Sequence, residues 1–192
     1  MALAETENIK PYVGLQFGPV MDNDHSVSSL GTVKTDLGFG VGVMLGYDFG
    51  KIRSDIEIMY RKVSLSEIEP NGGSIKISGN LELWTYMLNV TGSLPIDSTI
   101  KPFVAVGVGA AEFQAKRTIT NTAVAISATD SSAATTTAFA YQGSVGATWQ
   151  FSPEFSFDAL YRYLGTSNFN FKGYTADYGS HNLLFGVRYY FK

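Results

Sequence analysis

Bulky apolar residues alternate with small or polar ones along much of the chain. From Leu37 to Phe49 every odd position holds a large apolar or aromatic side chain. The even positions hold Gly38, Gly40, Gly42, Met44, Gly46 and Asp48. A period of two predicts a β-strand, because successive side chains leave opposite faces. A nearly bare glycine face weakens a strand that packs on a solid core. It suits a narrow closed barrel seen from within, whose bulky side is turned to lipid.

Seven other segments repeat the pattern. The first runs from about Pro11 to Gly18, with Val13, Leu15 and Phe17 on one face. The third, from Ile52, sets Ile56, Ile58 and Tyr60 against Arg53, Asp55, Glu57, Met59 and Arg61. The fourth, about Ile75 to Gly92, carries two phases. Leu81 and Leu83 favour one face, and Trp84, Tyr86, Leu88 and Val90 the other. A bulge or an extension beyond the membrane is expected between them. The fifth, Lys101 to about Phe113, turns Val104, Val106, Val108 and Ala110 outward and Ala105, Gly107, Gly109 and Ala111 inward. Thr137 to Gln150, Phe155 to Leu164 and Ser180 to Phe191 alternate likewise.

The connections sort by length. Long ones cover residues 19–36, 64–74, 114–136 and 165–179, and short ones fall near 50, 96 and 152. The sorting predicts an all-β fold: an antiparallel up-and-down eight-stranded transmembrane β-barrel with short periplasmic turns, long extracellular loops and periplasmic termini. Residues 10–192 form the expected barrel and 1–9 a flexible N-terminal segment. Residues 114–136, rich in Thr, Ser and Ala, read as adaptable and partly disordered.

Composition narrows the picture. A chain of 192 residues fits one domain. Charged residues are 16 %, below the ~25 % of soluble domains. No apolar run approaches the roughly 18 residues of a membrane helix, so a membrane reading requires strands. A net charge of −3 leaves no nucleic-acid footprint. The absence of Cys excludes disulfides and thiolate sites. Ala2-Leu3-Ala4 has the A-x-A form of a signal-peptidase site, in which case Met1 replaces a removed leader.

Aromatic residues, 14 % of the chain, gather towards strand ends. Phe49, Trp149, Phe151, Phe155, Phe157, Tyr189 and Phe191 are expected in a periplasmic girdle. Phe17, Phe39, Tyr60, Tyr86, Phe139, Tyr161 and Tyr163 are expected in the opposite one. Within the membrane part of the spans the proposed outward face is expected to carry no Asp, Glu, Lys or Arg.

The inward face holds the candidate chemistry. Arg53, Arg61, Arg162 and Arg188 stand against Asp48, Asp55, Glu57 and Asp158. Buried charges persist when paired and hydrogen-bonded. A salt-bridge network that plugs the lumen is therefore expected. Inward glycines such as Gly42, expected to accept a methyl group at small cost, leave a narrow pore for small solutes as the alternative. A soluble lipocalin-like barrel, with the same alternation turned inside out, is the third reading.

Catalysis is not expected. The histidines are His25 and His181, and His181 adjoins Ser180 on a strand, where neighbours point apart. Asp22-Asn23-Asp24 lacks the Gly and Glu that complete a calcium loop. No metal or cofactor is expected.

Several short motifs, in order, resemble the opacity-protein and surface-antigen family of bacterial outer membranes. They are Ile58-Met59-Tyr60-Arg61, Met87-Leu88-Asn89-Val90, Lys101 to Gly109, Tyr161-Arg162-Tyr163-Leu164-Gly165 and Gly186-Val187-Arg188-Tyr189-Tyr190-Phe191. The resemblance implies a monomeric eight-stranded barrel held in outer-membrane lipid and lipopolysaccharide. Its loops would be surface-exposed, often antigenic, and in some members adhesive for a host or cell-surface ligand. It also implies that Tyr189 and Phe191 form the terminal aromatic signal read by the barrel-assembly machinery. Lys192 after Phe191 departs from that pattern.

Overall fold

The computed structural model describes residues 9–22, 25–27, 31–35, 37–68, 79–94, 96, 98–117, 119–121, 126–128, 134–171 and 174–192. Residues 1–8 of the flexible segment expected at 1–9, the glycine-rich tip at 71–73, and Asn23 and Asp24 lie outside them.

Alternation produces strands wherever it was found. They are β1 (Lys10–Asp22), β2 (His25–Val27), β3 (Gly31–Thr35), β4 (Gly38–Asp48), β5 (Ile52–Ile68), β6 (Gly79–Ser93), β7 (Ile100–Arg117), β8 (Ile119–Asn121), β9 (Ile126–Ala128), β10 (Ala134–Gln150), β11 (Phe155–Thr166), β12 (Phe169–Phe171), β13 (Tyr174–Ala176) and β14 (Gly179–Tyr190). The eight long ones pair antiparallel with their neighbours in sequence, and β1 pairs with β14. The sheet is thus a closed up-and-down barrel without a free edge along its body.

One end carries the tight turns. Between β4 and β5, Phe49 N–H donates to Ile52 O at 2.8 Å, and Gly50 N–H to Asp48 Oδ1 at 2.7 Å. Gly50 has φ 88°, where a side chain would be strained. Between β10 and β11 the Ser152 hydroxyl accepts the Phe155 and Glu154 N–H groups at 3.0 and 3.3 Å. The other end carries the long connections. These are not bare loops: β2–β3, β8–β9 and β12–β13 are antiparallel hairpins, and β3 continues onto β5.

The strands overrun the expected boundaries. β5, β7 and β10 have 17, 18 and 17 residues, against 11 in β4 and 12 in β14. Together with β6 they form a tall wall on one side of the barrel. Residues 64–68, 114–117 and 134–136, expected in loops, are strand. Above Tyr60 and Trp84 the outward face turns polar, with Lys62 opposite Glu82, and Trp84 opposite Glu112. Backbone ladder bonds hold the wall there, and its apolar side chains, Val63, Leu83 and Phe113 among them, lie on the inner face. The polar row also marks the upper limit of the apolar band.

The two phases of the fourth segment are one. The β5–β6 register runs unbroken from Ile52↔Gly92 to Leu65↔Gly79, without a bulge. Leu83 points inward in the same phase as Thr85 and Met87, and it is 1 % exposed. An apolar residue on the inward face had looked like a change of phase.

Bulky apolar side chains cover the outside. Leu15, Val43, Leu45, Ile56, Leu88 and Val106 are all exposed, Val106 at 67 %. The inside is charged and polar. A lipocalin has the reverse arrangement, so the soluble reading falls.

Candidate functional site: the barrel interior

The interior side chains come from alternate positions of all eight long strands. An eight-stranded barrel is just wide enough for such side chains to fill. Arg162, on β11, is the hub. Its Nη1 and Nη2 donate to Glu57 Oε1 and Oε2 at 2.8 and 2.9 Å, a bidentate pair across the lumen. Its Nη2 also donates to Gln16 Oε1 at 3.1 Å, and its Nε to Ser144 Oγ at 3.2 Å.

A second group lies nearer the tight turns. Arg188 Nη2 donates to Asp158 Oδ1 at 2.8 Å and to Thr148 Oγ1 at 3.1 Å. Its guanidinium lies beside the packed rings of Tyr12 and Tyr190, 5.5 and 5.6 Å from their centroids. The Thr148 hydroxyl donates to Asp158 Oδ1 at 2.6 Å and accepts Arg53 Nη1 at 3.3 Å. Arg53 also lies over the Phe103 ring, at 5.2 Å.

Neutral partners complete the set. Asp55 accepts the Tyr12 hydroxyl at 2.7 Å and Asn89 Nδ2 at 2.9 Å, and Gln142 Nε2 donates to Asn89 Oδ1 at 2.7 Å. Arg61 donates through Nη1 to Thr85 Oγ1 at 2.7 Å and through Nε to Asn182 Oδ1 at 3.3 Å.

The expected set of charges therefore meets inside the barrel, with two corrections. Asp48 makes no hydrogen bond within the network, although its charge reaches Arg188. It sits half-buried at the rim, where its carboxylate holds the β4–β5 turn. The balanced pairing of four cations with four anions also gives way. Two close ion pairs form within the set, and Tyr12, Asn89, Thr148 and Gln16 satisfy much of the rest. These neutral residues share the inward phase of their strands, and that phase was the only signal for them.

An apolar lid closes the hairpin end. Leu83, Met87, Phe113, Leu164 and Tyr178 pack together with three alanines. Tyr178 reaches in from just before β14, within the expected loop 165–179. Its N–H donates to Thr166 Oγ1 at 3.0 Å, and its ring meets Phe113 edge-on at 5.4 Å. Sequence reasoning missed this lid. Among the described residues, a cavity of about 30 Å³ lies between lid and tight turns, bordered by Arg53, Asp55, Glu57 and Arg162. It has room for two or three water molecules, each needing about 10–15 Å³.

Outside, aromatic clusters mark the turn end. Phe151 stacks on Phe155 at 6.1 Å, and Phe155 meets Tyr189 at 5.1 Å and Tyr189 meets Phe191 at 5.2 Å. At the other limit Tyr60 meets Trp84 at 5.0 Å. Phe17 does not belong to that limit. It pairs with Phe185 and Val41 in the middle of β1. His181 points outward and Ser180 inward, so they cannot act together.

A charged and polar interior inside an apolar exterior is what a lipid-embedded barrel shows, and the sequence profile of one family fits it. The profile of the outer membrane protein β-barrel domain matches residues 1–191. The chain belongs to that family. Solved structures agree in fold. Neisserial surface protein A is 17 % identical, with a TM-score of 0.66 over 94 % of this chain and 97 % of that one. OprG from Pseudomonas aeruginosa is 12 % identical, with a TM-score of 0.57 over 95 % and 96 %. A major outer membrane protein from Thermus thermophilus is 11 % identical, with a TM-score of 0.58 over 94 % and 99 %. Comparison with curated protein sequences gives no match. This member of the outer-membrane barrel family combines a two-pair charge network with an apolar lid.

Proposed function

We propose that this outer-membrane barrel is a surface-display protein that acts through its hairpin end, with an interior that serves as a plug and not as a pore. The observation that carries the reading is the filled lumen. The Arg162–Glu57 pair spans it, and the cavity left is about 30 Å³. The tall wall and the hairpins β2–β3, β8–β9 and β12–β13 extend past the apolar band, where surface connections carry recognition on a rigid base. The hairpin end then faces outside the cell and the tight turns and termini face the periplasm. In this reading Tyr189 and Phe191, at the turn end of the last strand, form the assembly signal, and the protein works as a monomer.

The chain has no Cys, so single-cysteine variants report orientation cleanly. Ser127→Cys in β9 should react with a membrane-impermeant maleimide on intact cells, and Lys51→Cys in the β4–β5 turn should not. The reverse pattern would overturn the orientation. Replacing residues 119–128 with a short Gly-Ser link should lower cell attachment or antibody recognition. If neither changes for this and the matching β2–β3 and β12–β13 replacements, the display reading fails.

A further inference from the structure

Two cations converge on one neutral oxygen inside the barrel. Arg53 Nη1 and Arg188 Nη2 both donate to Thr148 Oγ1, at 3.3 and 3.1 Å. Their guanidinium groups therefore come within two hydrogen-bond lengths of each other. Thr148 has no capacity left, because its hydroxyl accepts both and donates to Asp158 Oδ1 at 2.6 Å. Asp158 is the one carboxylate at this junction among the described residues, and it is bound to Arg188. A buried charge without a close partner of opposite sign is costly. Arg53, 5 % exposed, is such a charge.

The other acidic side chains nearby are already engaged. Glu57 holds Arg162. Asp55 takes its hydrogen bonds from the neutral donors Tyr12 and Asn89. Asp48 stays at the rim, where it accepts the Gly50 N–H and stands in register between Lys10 and Arg53. Donors remain open. Of the Arg53 guanidinium, Nη1 alone is hydrogen-bonded among the described residues. Arg188 is 1 % exposed, and its Nε has no hydrogen-bond partner. Both side chains border the interior cavity of about 30 Å³.

We propose that the part of this cavity beside Arg53 is a binding site for a single chloride ion. Arg53 supplies the charge and Arg188 Nε a second donor, and an anion strengthens both as charge-assisted contacts. Volume selects the class of anion. Space for about two or three water-sized bodies admits a halide and excludes a tetrahedral oxyanion such as phosphate or sulfate. The approach is favourable from the turn end. Lys10, Lys51 and Lys101 are exposed there, and Lys101 is the register partner of Thr148. Their combined potential draws anions towards that mouth of the barrel.

Bromide, which scatters anomalously, replaces chloride in the direct test. Crystals of the full chain grown in sodium bromide should show one anomalous peak in the lumen, within hydrogen-bond distance of the Arg53 guanidinium. Equilibrium unfolding in detergent measures the linkage in solution. Ionic strength is held constant with sodium isethionate, whose anion is too large for the cavity. The unfolding constant should fall about tenfold for every tenfold rise in chloride above half-saturation. Arg53→Met should abolish that dependence. Asp48→Asn, which removes a competing carboxylate at the rim, should move half-saturation to lower chloride. Heat-dependent gel mobility verifies folding of each variant, and the bromide peak requires no variant. A lumen without the peak would overturn the site and leave the cavity to water. So would unfolding that is indifferent to chloride, or a chloride dependence that Arg53→Met retains.

Discussion

At the residue scale the most consequential contact is Arg162 with Glu57. Both are almost wholly buried, at 4 % and 1 % exposure. Removing one partner strands the other charge in the lumen, at a cost of ~3–5 kcal/mol. Arg162→Ala should therefore lower unfolding stability in detergent or lipid by about that amount. A double-mutant cycle with Glu57→Gln should return coupling of ~0.5–3 kcal/mol. The parallel cycle of Arg162 with Asp158 should return little, because Asp158 is bound to Arg188. Additive single and double mutants in the Glu57 cycle would contradict the assignment.

Glycines separate into two kinds at the same scale. A Cβ at Gly107 would fall 2.0 Å from Asn89 Oδ1, the atom that accepts Gln142. Gly107→Ala should break the Asp55–Asn89–Gln142 chain and destabilise by ~1–3 kcal/mol, the price of stranding buried polar groups. Gly42 is not the tolerant site its inward glycine face suggested, since a Cβ there meets Ile58 O and Met59 at 3.0 Å. Gly92 is open, with nothing within 4 Å. Gly92→Ala should be neutral in the same unfolding assay.

At the element scale the strands divide into a lipid-facing band and a polar extension. Val43→Arg and Val106→Arg place a cation in the band, at ~2–4 kcal/mol near the midplane. Folded yield in lipid vesicles should fall for both, with Gly92→Ala as the matched control. Yields equal to wild type would contradict lipid exposure of these faces. Replacing residues 119–128 by a short linker should leave that yield unchanged. The β7–β10 ladder runs on below the replaced hairpin, from Ala134↔Ala115 to Trp149↔Ile100.

This division explains what the sequence revealed. Alternation located the eight strands because the band needs apolar side chains at every second position. Its outward phase ended at Lys62 and Glu112, near the expected ends of the third and fifth strands, while the fourth was expected past Glu82 to about Ile75. The tall wall stayed invisible because backbone bonds build it. The same holds inside. Charges on the inward phase were plain from Arg53, Asp55, Glu57 and Arg61. Who pairs with whom depends on the closure of β14 onto β1, which brings Gln16 and Arg162 together across the barrel. The lid was hidden for another reason. Phe113 and Leu83 break the small-or-polar rule of the inward face, and Tyr178 lies beyond any alternation.

At the scale of the whole molecule the interior of the barrel is layered. Tyr12, Tyr190 and Met44 pack together towards the turn end, the charge network fills the middle, and the lid of Leu83, Phe113 and Tyr178 closes the hairpin end. Polar groups in the centre are satisfied largely by one another, which supports the proposed plug. Single-channel recording in planar bilayers tests this most directly. Folded wild-type protein should give no stepwise current above that of the bare bilayer. Regular single-channel steps from the wild type, abolished when the protein is omitted, would contradict the plugged lumen and restore the pore.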